Sequence, residues 1–241
     1  MSLETEIANL TSKTTALIDY FNSKKTGIEA ALSAAVAAAP AIARNFFVDC
    51  VAGDDAAVGT KAAPFKSLAR ALAATPVGGI CDVTLLRDYV HTHQIALVSR
   101  QLRIRGNDKK LILEDFINPG DDLRYMAGFQ QIGNSTLELT DLTVVLPEGK
   151  PTPNTHAGYS ALIYAGGYAI PVALTLRLYK VKFELRGALL DKLVGAGSTL
   201  VVLSGAGTTF PAEMAGAIVF GVAKGTDPRT VPYVFTNFAS L

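Results

Sequence analysis

The sequence predicts a mainly β fold in which short strands are stacked as a solenoid, preceded by an N-terminal α-helical segment. Three observations predict it: a heptad pattern at the front, a short helix that stops firmly before a series of strands, and a loose repeat of paired strands. The chain has 241 residues, of which 49% are hydrophobic, so it is long and apolar enough for a sizeable core. We place a helical domain at residues 1–44 and a β domain at 45–241.

The front of the chain, from residue 3 to residue 35, carries apolar side chains at alternating intervals of three and four. Such a narrow stripe is more typical of a coiled-coil seam than of a helix on a broad core. An amphipathic helix packed on its own domain is the alternative. Gly27 weakens the pattern, which allows a break there and a second short helix over residues 30–39. The residues that we assign to self-association are Leu3, Ile7, Leu10, Leu17, Phe21 and Ile28.

The stretch from residue 46 to residue 106 has the order strand, polar loop, short helix, turn and two strands. Ser67 is a candidate N-cap, and Leu68 and Leu72 fall on one helical face. Pro76 and the glycines at 78 and 79 stop the helix. A short helix stopped in this way, just before a ladder of strands, suggests a lid over the end of a β-stack, where an edge would otherwise stay unpaired.

This stretch resembles the opening of right-handed parallel β-helix domains, which are common at the front of bacteriophage tail fibres and tailspikes. The residues that carry the resemblance are FFVDCVAGDDAAVGTKAAPFKSLARALAATPVGG at 46–79, followed by CDVTLL at 81–86. In that family a "YVD" strand precedes a "G-D…GT…PFK-S/T" loop, an alanine-rich helix and "P-G-G…V-L". The resemblance covers about 60 residues and implies a scaffold, not an activity.

The rest of the chain shows a loose repetition of paired strands. Residues 102–104, 137–139 and 174–176 are alike and begin 35 and 37 residues apart. Each is followed by a second strand, at 111–113, 142–146 and 181–185, and further candidates lie at 200–203 and 217–220. A β-sandwich has similar strand spacing, but the resemblance of the front end favours the solenoid. The apolar tail, residues 231–238, is expected either to pack back on the chain or to meet a neighbouring subunit.

Two histidines, His91 and His93, are separated by one residue, so on a strand they would share a face and could reach one metal ion. Similar strings in trimeric phage fibres surround an axial metal, but this requires the strand to lie on the threefold axis. Because the string lies in the cap region, the sequence favours two surface or loop histidines. We expect no metal and no cofactor.

A basic cluster gives the first candidate binding surface. It includes Arg103 and Arg105, which share one strand face and could meet acidic sugars, a phosphate or an acidic neighbouring subunit. A solvated face without a ligand is the plainer interpretation. A second candidate is the proline-rich loop at 147–159, with His156 and Tyr159, since loops on a rigid stack often carry binding residues.

Catalysis has little support in the sequence. The carboxylate pairs 54–55, 114–115 and 121–122 are neighbours, and neighbours on a strand point to opposite faces, so none forms the two-acid pair of a glycosidase by itself. The net charge of +1 and the lack of interleaved aromatics argue against a nucleic-acid partner. Membrane insertion and a cleaved signal are not expected. Cys50 and Cys81 are either paired in the cap or, as we favour, two free buried thiols.

These observations predict a phage tail fibre or receptor-binding subunit, a homotrimer that belongs to the virion tail and is made in the host cytoplasm. Its partners would be other tail or baseplate proteins and a host surface polysaccharide or protein. Two alternatives remain: a tailspike-like polysaccharide depolymerase, and an internal tail adaptor without host contact. Which of them applies depends on whether the chain turns over a polymer and whether it binds cells.

Overall fold

The computed structural model describes residues 2–38, 42–148, 160–166, 173–187, 191–195 and 199–241. The chain divides into two units, Met1–Ala41 and Ile42–Leu241. The first contains the long helix α1, Leu3–Ala38. The second is mainly β and contains one short α-helix, α2, Leu68–Ala73, among its described residues. His156 and Tyr159, from the proline-rich loop, lie outside the described residues.

The strands of the second unit are numbered in chain order. Two short 3-10 helices, Ala212–Met214 and Pro228–Thr230, lie between the last two strands. The bounds of the strands are β1 Ala43–Val48, β2 Ile80–Leu85, β3 Tyr89–His91, β4 Ile95–Ala96, β5 Gln101–Arg105, β6 Lys110–Leu113, β7 Asp115–Asn118, β8 Leu123–Met126, β9 Phe129–Gln131, β10 Thr136–Leu146, β11 Ala161–Ala165, β12 Ala173–Leu185, β13 Lys192–Gly195, β14 Leu200–Ala206 and β15 Val234–Thr236.

Helix α1 continues through Gly27, so the break that the sequence allowed there is not formed and no separate second helix begins at residue 30. An ion pair between Lys25 and Glu29, 3.8 Å long, spans the glycine. Thr14 lies seven residues after Ile7 and seven before Phe21, so it is a polar residue at a seam position. Its hydroxyl donates to the Leu10 carbonyl one turn earlier and needs no partner outside the helix. The six predicted seam residues, Leu3, Ile7, Leu10, Leu17, Phe21 and Ile28, are 54–73% exposed.

The main sheet joins strands in the order β1-β2-β5-β10-β12-β14-β15, and β3 and β6 extend it beside β10. A second sheet has the order β13-β11-β9-β4, and a third is the hairpin β7-β8. Among the described strands, the hairpin is the antiparallel pair and the other strand pairings are parallel. Parallel pairing differs from the antiparallel sheets of the β-sandwich that similar strand spacing allowed. The protein is therefore mainly β, with parallel sheets and one long N-terminal helix.

The three similar segments of the main sheet are not all aligned position for position. Leu137 lies opposite Leu102 on β5, and its partner on β12 is Leu176. Leu174 pairs with Val201 of β14. The sequence pattern alone does not fix this register, because a shift by two residues keeps every apolar side chain on the buried face. Residues 217–220 form no strand, and Val219 makes a single bridge to Val194.

The first end of the sheet is closed as the sequence predicted. Ser67 caps α2 by accepting a hydrogen bond from the Arg70 amide, and Leu68, Ala71 and Leu72 are buried. The free edge of β1 pairs with the cap loop, where Phe47 donates to Gly59 and Phe65 donates to Phe47. Both cysteines are free thiols, as we favoured, with Cys81 buried and Cys50 half-buried.

The opposite end is covered by the last residues described. Val234 is buried in β15, and the Leu241 side chain is buried as well. Phe238 packs against Phe210, with ring centres 4.6 Å apart. The apolar tail therefore packs back on its own chain, which is one of the two outcomes that the sequence allowed. A buried amide, Gln131 of β9, links the second sheet to the main sheet by accepting from the Thr175 amide of β12 at 2.9 Å.

Candidate functional site

The exposed side of the main sheet carries a ladder of alternating charge. The strand register places Arg103 opposite both Asp82 and Glu138, and Glu138 opposite Arg177. Because side chains alternate across a strand, these four residues share the face turned away from the core. Opposite charges on adjacent strands stabilise the pairing of those strands. A register shift by one residue would remove these cross-strand charge pairs. We call this surface the charged face.

The predicted binding residues Arg103 and Arg105 lie on the charged face, and both have acidic partners. Arg105 binds Asp82 at two points, through Nε and Nη2, each at 2.9 Å. The hydrogen bonds that Arg105 donates to Asp82, together with the negative charge of Asp82, raise the pKa of Arg105. Arg103 Nε lies 3.6 Å from a Glu138 oxygen. Asp82 therefore holds Arg105 firmly, and Arg103 has a looser ion pair.

Arg177 is the least constrained cation of the ladder. Its Nη1 lies 4.0 Å from the Glu138 carboxylate, beyond hydrogen-bonding distance, and 56% of its side chain is exposed. Arg177 lines a groove of about 530 Å³ between β10, β12 and β14. Tyr179 lies two residues further along the same face and is 48% exposed. The residues that line this groove are Arg105, Glu138, Thr140, Arg177, Leu178, Tyr179, Ser204, Gly205, Ala206 and Asn237.

One wall of the groove is fixed by the side chain of Asn237, which makes two hydrogen bonds with the backbone of β14. The Asn237 amide accepts from the Gly205 amide at 2.9 Å and donates to the Gly205 carbonyl at 2.6 Å. Phe238 lies directly over Gly205, where a Cβ atom would come within 2.2 Å of its ring. The groove is therefore built on a rigid sheet, with its last wall held by the tail.

The two histidines of the sequence motif have different surroundings in the structure. His91 ends β3 and is buried, stacked on Phe129 with ring centres 4.8 Å apart. Burial lowers the pKa of His91 to about 4, against the raising effect of its hydrogen bond with the Gly128 carbonyl. His93 follows the end of the strand, is exposed and lies against Phe116. The alternation that would align the two rings ends with the strand. The sequence favoured two surface or loop histidines, which describes the exposed His93 but is wrong for His91, which is buried at the end of β3.

A buried ionic cluster is the feature that sequence reasoning missed. Arg124 of β8 donates to both oxygens of Asp191, at 2.7 and 3.1 Å, and to Asp115 at 2.5 Å. The side chains of Arg124 and Asp191 are 3% and 0% exposed. Burial raises the pKa of Asp115, although Arg124 opposes the shift. The partners are 67 residues apart, and no local pattern in the sequence signals their pairing.

A small pocket lies beside this cluster. It has a volume of about 280 Å³ and is lined by Glu114, Asp115, Pro147, Glu148 and Arg186. Arg186, just after β12, binds Glu114, just after β6, at 2.8 Å, so the ion pair spans the intervening strand β10. The pocket contains three carboxylates. Glu114 and Asp115 were noted as a neighbouring pair in the sequence, whereas Glu148 was not identified as a candidate.

The described residues contain no group of three or more His, Cys, Asp or Glu side chains arranged to hold a metal ion. In the same part of the chain, no helix combines the length and apolarity needed to cross a membrane. No protein-family model, no curated protein and no solved structure matches the chain.

Proposed function

We propose that this chain is a structural and binding subunit of a bacteriophage tail fibre, a homotrimer that attaches the virion to a host surface glycan or another surface receptor. Helix α1 would self-associate as a coiled coil and join other tail or baseplate proteins. The second unit would be a right-handed parallel β-helix, with the sheets as its faces and the charged face available for contact.

The observation that carries the proposal is the exposed apolar seam of α1. Six apolar side chains at heptad positions, each more than half exposed, form an apolar stripe that water does not solvate well. Identical helices bury such a seam by winding around one another. The parallel, in-register strands supply the second support, because a stack of this kind gives the stiffness that a fibre needs.

Association would also make weak receptor sites useful. Three copies of the charged face on one particle would bind a repeating surface polymer at several points, and the combined affinity would far exceed that of one site. The test is adhesion of the purified full chain to bacterial cells. The wild type should adhere, and a variant with two polar seam residues, Leu10→Ser with Leu17→Ser, should adhere much less. Failure of the wild type to adhere to any host surface would instead favour an internal adaptor of the tail.

A second candidate function, cleavage of a surface polysaccharide, is favoured by the small pocket beside the buried cluster. Glu114, Asp115 and Glu148 supply carboxylates, and the raised pKa of Asp115 suits a proton donor. Loss of polymer viscosity on incubation with the protein would support it, provided that Asp115→Asn abolishes the loss. Unchanged viscosity with a polymer that the protein binds would exclude it.

A further inference from the structure

The charged residues around the groove on the charged face have a net positive charge. Three arginines, Arg103, Arg105 and Arg177, stand beside two acids, Asp82 and Glu138. Asp82 is fully engaged by the two-point bond from Arg105, whereas Glu138 is shared loosely between the other two arginines. One positive charge therefore remains without a close counterion among the described residues, and it is placed at Arg177, the most exposed of the three.

Next to Arg177 the groove offers an aromatic ring with space beside it. Tyr179 lies two residues along β12, about 6.6 Å away at the usual rise of a strand. Its cross-strand neighbour on β14 is Ala206, a small residue that also lines the groove, and Tyr179 is 48% exposed. Lys180, which is not among the residues that line the groove, lies over the ring with its Nζ 5.3 Å from the centre.

Two hydroxyl groups complete the site. Ser204 lies opposite Arg177 on β14, and Thr140 lies opposite Tyr179 on β10. Neither hydroxyl makes a hydrogen bond to another described residue, and both line the groove. Neighbouring strands are about 4.8 Å apart, so these groups surround an area about the size of one sugar ring.

We infer that this groove binds an acidic saccharide unit, with its carboxylate on Arg177, one face of its ring on Tyr179, and its hydroxyls on Ser204 and Thr140. Guanidinium groups pair with carboxylates through parallel hydrogen bonds, which a neutral sugar cannot accept with equal strength. An aromatic ring contributes contact area with little loss of side-chain freedom. The inference rests on the proposed receptor-binding function and names the chemical class of the receptor.

The test is calorimetric titration of the full chain with three acidic probes: trigalacturonate, a hyaluronan tetrasaccharide and sialyllactose. Maltotriose serves as the neutral probe and tetraglutamate as the acidic peptide. At least one acidic saccharide should bind more tightly than both maltotriose and tetraglutamate. Arg177→Gln should weaken that binding at least tenfold, as expected for loss of a charge-assisted pair.

Two further variants separate the site from a general positive surface. Ala206→Leu fills the space beside Tyr179 and should weaken saccharide binding without a change of charge. Arg103, like Arg177, lies near Glu138, but it does not line the groove. Arg103→Gln therefore removes a cation outside the groove and should change saccharide binding less than twofold. Unfolding midpoints equal to the wild type would confirm that the variants are folded.

Three results would overturn the inference: no binding of any acidic saccharide, equal binding of tetraglutamate, or equal losses for Arg177→Gln and Arg103→Gln. The second would indicate an acidic protein partner. These failures differ from failure of the proposed function, because a chain that adheres to cells through another surface would still adhere after Arg177→Gln.

Discussion

Arg124 and Asp191, 67 residues apart, form a two-point ion pair from which water is almost completely excluded. The pair ties the hairpin β7-β8 to the start of β13, and a third member, Asp115, joins it from the hairpin itself. The ionic cluster therefore holds the antiparallel hairpin against the parallel second sheet.

Replacement of Asp191 by Asn should be strongly destabilising. It would remove the two-point charged partner of a buried guanidinium, a change that commonly costs about 3 kcal/mol. Urea unfolding monitored by circular dichroism would measure the loss. Asp82→Asn is the matched control, because it breaks a two-point arginine pair whose Arg105 is 48% exposed, and it should cost less than about 1 kcal/mol. Equal costs for the two variants would contradict the assignment of the buried pair.

Acidification should destabilise the fold through His91. Its pKa is about 4 in the folded protein and 6.5 in the reference state, so the unfolded chain binds the proton more readily. Stability from this residue is complete above pH 6.5 and falls as the pH decreases towards 4, by at most about 3 kcal/mol. His91→Phe should preserve the stacking on Phe129 and remove this slope.

The measurement is the unfolding free energy of both proteins at intervals between pH 7 and pH 4. The raised pKa of Asp115 gives a slope of opposite sign, since its folded form holds a proton more tightly and is destabilised as the pH rises. The difference between wild type and His91→Phe cancels that contribution. A difference that does not change with pH would show that His91 is not buried as a neutral ring.

Two glycines provide a test of the close packing between strands. A Cβ atom at Gly128 would lie 2.1 Å from the Ala161 carbonyl oxygen, so Gly128→Ala forces the backbone to move. We expect a loss of about 2 kcal/mol, in the range of overpacked cores. At Gly120, in the hairpin turn, the nearest atom would be 3.6 Å away, so Gly120→Ala should have little effect. Thermal unfolding of the two variants would compare them directly.

The helix can be tested by a substitution that should improve it. Gly27 has no atom within 4 Å of the position of an added Cβ, and alanine favours a helix interior by about 1 kcal/mol. Gly27→Ala should therefore increase helical circular dichroism and resistance of residues 2–38 to proteolysis. A decrease in helicity would contradict an unbroken helix through this position.

Local features of this fold were predictable from sequence, and distant pairings were not. Ser67 caps α2, and Leu68 and Leu72 face the core, because capping and helical periodicity depend on residues only a few positions apart. The pairing of Leu137 with Leu176 could not be predicted, since the apolar alternation fits this register and one shifted by two residues equally well.

The candidate site was also predictable only in its local features, not in the neighbours that come from other strands. Arg103 and Arg105 were placed on one strand face by alternation alone, and the structure has them there. Their partners Asp82 and Glu138, and the neighbours Arg177 and Ser204, come from other strands and depend on register. The separation of His91 from His93 depends on where β3 ends, which the string of alternating residues did not reveal.

Seam substitutions provide the matched test of self-association. Leu10→Ser with Leu17→Ser introduces polar groups where the heptad pattern predicts contact between copies, and should shift the protein towards monomer. Ala8→Ser with Ala16→Ser makes a similar change on the opposite side of the helix and should leave association intact. Sedimentation velocity over a range of concentrations would distinguish the two. Equal effects would indicate lost helicity instead of a lost interface.

The most direct measurement of the central proposal is the molar mass of the full chain in solution by light scattering. A homotrimer joined by α1 predicts a mass of about 76 kDa, three times the 25.4 kDa of one chain. A mass of 25.4 kDa at micromolar concentration would contradict the proposed trimer and, with it, the account of this chain as an assembled fibre subunit.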